Sequence, residues 1–186
     1  VSRLKDTHPF LIMRKLALQF GIIVLLTACN GDDRDVLFEM SFPNIRFTIP
    51  AGLSAGLPRV FEIGQVPTNI DFFLRENSAD TTQISAIRPF SARLTSLDGF
   101  NYDFLREVSV RICPVGSIQC TTADEAFYLD NIRINEDDVL DLLPTLRNFR
   151  SLLIGEEYRL EVIFFLAEPS PNSYDTRMEM VFDAVE

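Results

Sequence analysis

Tryptophan is absent from the 186 residues, histidine occurs once, and lysine is confined to Lys5 and Lys15. From Cys29 onward the chain contains neither lysine nor histidine. That double absence removes histidine-activated Ser and Cys nucleophiles, histidine metal ligands and general bases, Schiff-base lysines and phosphate-loop lysines from this part. Carboxylate, Tyr, Ser/Thr and Arg chemistry is what remains. Positive charge is also scarce, with 17 basic against 27 acidic side chains. Four basic residues (Arg3, Lys5, Arg14, Lys15) and one acidic residue (Asp6) precede Cys29, which leaves 13 arginines, 26 carboxylates and a formal charge of −13 beyond it. Those arginines are scattered, so a nucleic-acid partner is not expected. Eight glycines and ten prolines are too few for a collagenous or low-complexity chain.

What is abundant is apolar bulk: 47% of the residues are hydrophobic and sixteen are phenylalanine, enough to fill the core of one globular domain. Residues 13–29 read MRKLALQFGIIVLLTAC. Arg14 and Lys15 form a short positive region, and Leu16 to Ala28 an apolar stretch. Thirteen residues rise only about 20 Å as a helix, short of the roughly 30 Å hydrocarbon core, so the segment reads as a signal peptide and not as a permanent span.

Its ending resembles the lipobox of bacterial lipoproteins: Leu26 at the large apolar position, Thr27 and Ala28 as small residues before the cut, and Cys29 as the new N-terminus. The resemblance implies a diacylglyceryl thioether on Cys29, usually joined by an amide-linked acyl chain. It covers only this first part of the chain. The expected organisation is an upstream extension and removed leader over 1–28, a lipidated cysteine and acidic tether over 29–36, and one domain over 37–186. The acidic stretch after the cysteine also resembles the export signal of Bacteroidetes surface lipoproteins. The position where Asp acts as a retention signal in enterobacterial lipoproteins is occupied by Asn30. The resemblance therefore implies a bacterial outer-membrane location, anchored through acyl chains on Cys29, with the periplasmic and cell-surface sides both open.

Two cysteines remain. Cys113 and Cys120 bracket PVGSIQ, where Pro114 and Gly116 favour a turn that brings the sulfurs together, and an envelope compartment permits a structural disulfide. No cofactor is expected. A structural calcium is the sharper alternative for Asp32, Asp33 and Asp35, which lack EF-hand spacing, and for Glu136, Asp137, Asp138 and Asp141, which read better as helix capping and solvation.

Beyond the tether the pattern is strand-like. Ile45, Phe47 and Ile49 alternate with Arg46 and Thr48; Val108, Val110 and Ile112 share a face; Tyr158 to Ala167 is the clearest strand; Met178, Met180, Phe182 and Ala184 share another face. NIDFFLR at 69–75 is a further strand candidate, Asp98-Gly99 is a turn, and Pro89 predicts an edge or bulge. Glu161, opposite the apolar face of its strand, reads as a solvated sheet residue. Asn135 to Leu153 alone is helical in spacing, broken at Pro144 into a short helix near Leu146–Leu153. The final strand is expected to form a hairpin with Tyr158–Ala167. The sum predicts an all-β, two-layer antiparallel β-sandwich, immunoglobulin-like in general architecture, with one short or broken helical insertion. Carboxylate glycosidase chemistry needs no histidine, but sugar-stacking tryptophan is missing and only Tyr102, Tyr128, Tyr158 and Tyr174 stand in. The functional expectation is a noncatalytic, lipid-anchored scaffold or protein-interaction module of the envelope, with recognition of an extracellular glycan or peptide as the alternative.

Overall fold

The computed structural model describes residues 35–132 and 138–186. Cys29, the leader, Asn30 to Arg34 and the Asn135–Asp137 part of the acidic cluster lie outside the described residues. Eight strands dominate: β1 (Val36–Ile49), β2 (Arg59–Pro67), β3 (Ala86–Ser96), β4 (Leu105–Cys113), β5 (Glu125–Leu129), β6 (Val139–Pro144), β7 (Glu157–Leu166) and β8 (Tyr174–Val185). Two short helices interrupt them, α1 (Ile70–Glu76) and α2 (Arg150–Leu153). The all-β class is as expected.

The two-layer sandwich is not. All eight strands form one antiparallel sheet in the order β1-β8-β3-β6-β5-β4-β7-β2. Two four-stranded halves are joined where Phe127 and Tyr128 of β5 pair with Pro144 and Leu143 of β6. The sheet curls into a nearly closed, barrel-like form whose end strands, β1 and β2, face each other through Phe47 and Phe61, with ring centroids 6.0 Å apart. Bulges supply the curvature. In β1, Phe42 pairs with Met180 and Ile45 with Met178, so one extra residue sits at Pro43-Asn44. The inward set accordingly changes from Phe38, Met40 and Phe42 to Ile45, Phe47 and Ile49. Gly64 is the extra residue in β2. A bulge bends its strand and increases the local twist, which is what a sheet needs to close on itself.

Phe182 stands at the centre of the core. Its ring meets Phe42 at 6.0 Å, Phe127 at 5.3 Å and Phe149 at 6.3 Å, tying β8 of one half to β5 of the other. Met178, Met180 and Ala184 are buried beside it, as the alternation requires. Pro89 sits at a register shift of β3, which bears out the expected bulge.

Three local expectations are corrected. NIDFFLR is a helix, because Ile70, Phe73 and Leu74 recur at helical spacing and pack on the core, with Phe73 stacked on Phe38 at 6.3 Å. The Leu140 region is a strand: Leu140 and Leu142 are buried between exposed Asp141 and Leu143, a period of two, while Leu146 is 98% exposed. Only α2 survives of the helical insertion, inside the expected Leu146–Leu153 interval. Finally, β7 and β8 do not pair. Both are central strands whose two edges are already taken, β7 by β2 and β4, β8 by β1 and β3, so residues 167–173 cross from one half to the other.

The registers define two poles. Val36 and Ala86 both pair with Val185, and Cys113 pairs with Arg159, so the start of β1, the end of β8 and the cystine loop share one pole. Ile49 pairs with Tyr174, and Leu105 with Leu166, which gathers the β1–β2, β3–β4 and β7–β8 connections at the other.

Candidate functional site

Cys113 and Cys120 form the expected disulfide, with an S–S distance of 2.05 Å. The ring it closes has a role that spacing alone does not reveal. Glu161, expected to be solvated, is 0% exposed. It faces outward from β7, but the cystine loop folds over it, and Cys120 N donates to its Oε2 at 3.2 Å. Arg159 Nη2 lies 2.8 Å from Oε1, too poorly aligned for a hydrogen bond but close enough for an ion pair, and 2.9 Å from Glu62 Oε2. Arg159 Nη1 donates to Ser117 O at 2.6 Å, so the same guanidinium holds both the carboxylate and the loop above it. Beside them, Ser109 donates to Glu125 at 2.6 Å. The arrangement sets the buried carboxylate against one cation and one backbone donor, while a shallow hollow of about 310 Å³ opens beside it, lined by Ser109, Arg111 and Glu125 among others.

An open cleft lies at the opposite pole. About 440 Å³ in volume, it is lined by the β3–β4 connection (Gly99, Phe100, Asn101, Asp103, Phe104) and the β7–β8 connection with the first residue of β8 (Glu168, Pro169, Pro171, Asn172, Tyr174). The Asp98-Gly99 turn starts the first wall. Gly99 has φ +70°, a conformation natural to glycine, and Asp98 Oδ2 accepts from Asp175 N at 2.8 Å, fastening the turn to β8. The second wall is clipped on both sides. Ala167 N donates to Phe104 O at 2.9 Å. The buried Ser170 hydroxyl donates to Pro50 O at 2.8 Å and accepts from Leu53 N at 2.9 Å, while the Ser170 and Gly52 amides complete the junction with the β1–β2 connection. The cleft is therefore held in shape by three interlocked loops.

Its floor is aromatic. Tyr174 packs on Phe104 at 4.7 Å, on Phe100 at 5.7 Å and on Tyr102 at 5.9 Å, and Tyr102 shares a hydrogen bond with Thr176 at 3.1 Å. Burial pushes the Tyr102 phenol up to about 12, against the lowering effect of the Thr176 hydroxyl. Burial also raises Tyr174, opposed by a hydrogen bond with Asn172 and assisted by the charge of Asp103. Phe100, 42% exposed, is the ring that solvent reaches.

The tyrosines singled out in the sequence thus belong mainly to the core: Tyr102, Tyr158 and Tyr174 are buried and Tyr128 is half-buried on β5. Phe100, Asp103 and Glu168 were not distinguishable there, although the Asp98-Gly99 turn pointed to a loop at which Phe100 would be poorly covered. Of the carboxylates weighed for calcium, Asp32, Asp33, Glu136 and Asp137 lie outside the described residues, and Asp141 is paired with Arg93 at 2.6 Å. Among the described residues no group of three or more His, Cys, Asp or Glu side chains is placed to hold a metal ion, and no helix is long and apolar enough to cross a membrane. No protein-family model matches the chain, and no curated protein matches it.

Proposed function

We propose that the chain is a noncatalytic, lipid-anchored protein of the bacterial outer membrane that presents its barrel-like domain as an interaction module. Cys29 carries the acyl chains, and the polar residues before Val36 are the tether. The observation that carries this reading is polarity. β1 begins seven positions after Cys29, at the cystine pole, whereas the preformed cleft opens at the other pole, roughly 35 Å away along β8. A protein tethered at its first strand would hold such a cleft away from the bilayer, where a partner can reach it. The missing histidine and lysine chemistry supports binding without turnover.

The test is expression of the full chain in a lipoprotein-processing bacterium, followed by intact-mass analysis. The expected product lacks residues 1–28 and carries a lipid adduct on Cys29, since stable anchoring needs more than one acyl chain. A soluble, unmodified product with its leader retained would overturn the anchoring. Reproducible hydrolysis of envelope polysaccharide, abolished by replacing Asp103 or Glu168 in a protein that stays folded, would overturn the noncatalytic reading.

A further inference from the structure

We infer that the cystine pole is a membrane-docking surface, whose loop tips, led by Ile118 and Leu146, insert into the interface of the bilayer that holds the acyl chains of Cys29. The inference rests on reading Cys29 as the lipid anchor, and it adds which end of the domain meets the bilayer. Ile118 lies in the disulfide-closed loop and Leu146 between β6 and α2; both are 98% exposed, and Val115 of the first loop is 42% exposed. β6 runs antiparallel to β3, so its last residues point to the pole at which β3 begins. The two loops are neighbours there. Pro114, next to Val115, and Arg147, next to Leu146, line one hollow of about 330 Å³, and Arg147 Nη2 donates to Thr122 O at 3.3 Å. Val36 at the start of β1 and Phe72 on α1, each half exposed, add apolar surface at the same pole.

Charge opposes insertion, and the tips carry little of it. Cys113 to Ala123 contains no charged residue. Asp124, which follows, is turned back and accepts from Thr121 N at 2.7 Å and Thr121 Oγ1 at 2.8 Å. Arg147 stands beside Leu146, where a headgroup phosphate can take its remaining N–H groups while its stem lies along the apolar boundary. The formal charge of −13 beyond Cys29 opposes an anionic surface, so a zwitterionic phospholipid interface is the one that fits. Single side chains standing proud of loops make a poor protein interface, which needs a well-packed complementary patch, whereas fluid lipid closes around them. The disulfide and the Arg159 hydrogen bond to Ser117 O hold the cystine loop in shape, so little ordering is left for docking to oppose. Proximity comes from the tether: seven positions separate Cys29 from Val36, at most about 25 Å of extended chain. An anchored domain meets its bilayer at high effective concentration, so a few apolar side chains seat it although they would not hold it unaided.

The absence of tryptophan supplies the experiment. The full chain, purified from a lipoprotein-processing bacterium, is reconstituted in phosphatidylcholine vesicles with and without brominated acyl chains. Single reporters are placed by Ile118→Trp, by Leu146→Trp and, at the opposite pole, by Leu57→Trp, which replaces a side chain 66% exposed. Indole favours lipid interfaces by itself, and the reporter at 57 carries the same bias. Bromine should quench the reporters at 118 and 146 severalfold more than the one at 57, and their emission should lie at shorter wavelength. Adding Val115→Ser/Leu146→Ser to the Ile118→Trp chain should cut its quenching about twofold. Equal quenching at 57 and 118, or none at 118, overturns the inference. An emission shift at 118 without quenching means that protein, such as a second copy, covers the loop, and overturns it as well. Circular dichroism checks folding, and the reporter at 146 decides if Ile118→Trp does not fold. Intact mass of the same preparation reads acylation separately. Acylated protein with unquenched reporters defeats the docking alone, whereas an unmodified product defeats the anchor and the docking that rests on it.

Discussion

Removing the Cys113–Cys120 bridge should cost more than the entropy of its ring. The bridge spans seven positions and so closes an eight-residue ring. Loop-closure entropy for that length is worth about 2.5 kcal/mol. Glu161 adds a second contribution. Its buried carboxylate takes a hydrogen bond from Cys120 N, and Arg159, which pairs with it, is itself tied to Ser117 O in the ring. A hydrogen bond to a charged group contributes about 1.5–3 kcal/mol, and water admitted by an opened loop returns part of that. The double variant Cys113→Ala/Cys120→Ala should therefore lose about 3–4 kcal/mol. In a Glu161→Gln background the same removal should approach the ring entropy alone, leaving a coupling of about 1 kcal/mol. Equilibrium unfolding in urea measures both, followed by circular dichroism and tyrosine fluorescence because the chain has no tryptophan. A total loss below about 1 kcal/mol would refute the ring argument. Identical losses in the two backgrounds would refute the claim that the loop serves as a lid over Glu161.

The Tyr158 hydroxyl is buried without a hydrogen-bond partner, so Tyr158→Phe should raise stability by up to about 1 kcal/mol in the same assay, and a comparable loss would mean that the hydroxyl is satisfied after all. Burial raises the folded-state values of Tyr158, Tyr102 and Tyr174, so their stabilisation is complete below about pH 10, the unfolded value, and is lost above it. For Tyr102, at about 12 when folded, the loss between those values is about 1.4 kcal/mol per pH unit, and an unchanged urea midpoint across that window would contradict it. Ser170→Ala removes both side-chain hydrogen bonds of the loop clip and should cost about 1–3 kcal/mol while speeding amide exchange at Leu53; unaltered exchange there would show that the clip does not hold the β1–β2 connection.

The local alternation of polar and apolar residues carried much of the strand content. β4, β7 and β8 are found where the sequence places them, since a half-buried strand writes its period into consecutive residues. Pairing was less legible. Residues 167–173 between β7 and β8 invite a hairpin, yet which strand lies beside which is decided by long-range packing, here by Phe182 reaching Phe127 across the core. The helical spacing of Leu140, Leu143 and Leu146 misled because only Leu140 of the three is buried. α1 was misread for the opposite reason: seven residues with two adjacent phenylalanines suit a short strand until Ile70, Phe73 and Leu74 are seen to face the core together. For the sites, the short turn-rich spacing sufficed for the cystine. The lid over Glu161 was hidden, since no local pattern tells whether the outer face of a strand meets water or a folded-back loop. The cleft was hidden because its two walls lie about seventy positions apart in the chain.

The placement of β8 bears on when the domain can form during synthesis. The twelve-residue β8 lies between β1 and β3, so among the described residues β1 finds its ladder partner in the strand most distant from it in sequence. Val36 must wait for Val185. A chain emerging from its N-terminal side can assemble β4, β5 and β7 early, but β1 and that half of the core stay without a template until β8 has been made. The same order leaves a chain truncated before Tyr174 with two open strand edges where the intact protein has a central ladder, a species prone to aggregate instead of folding partway.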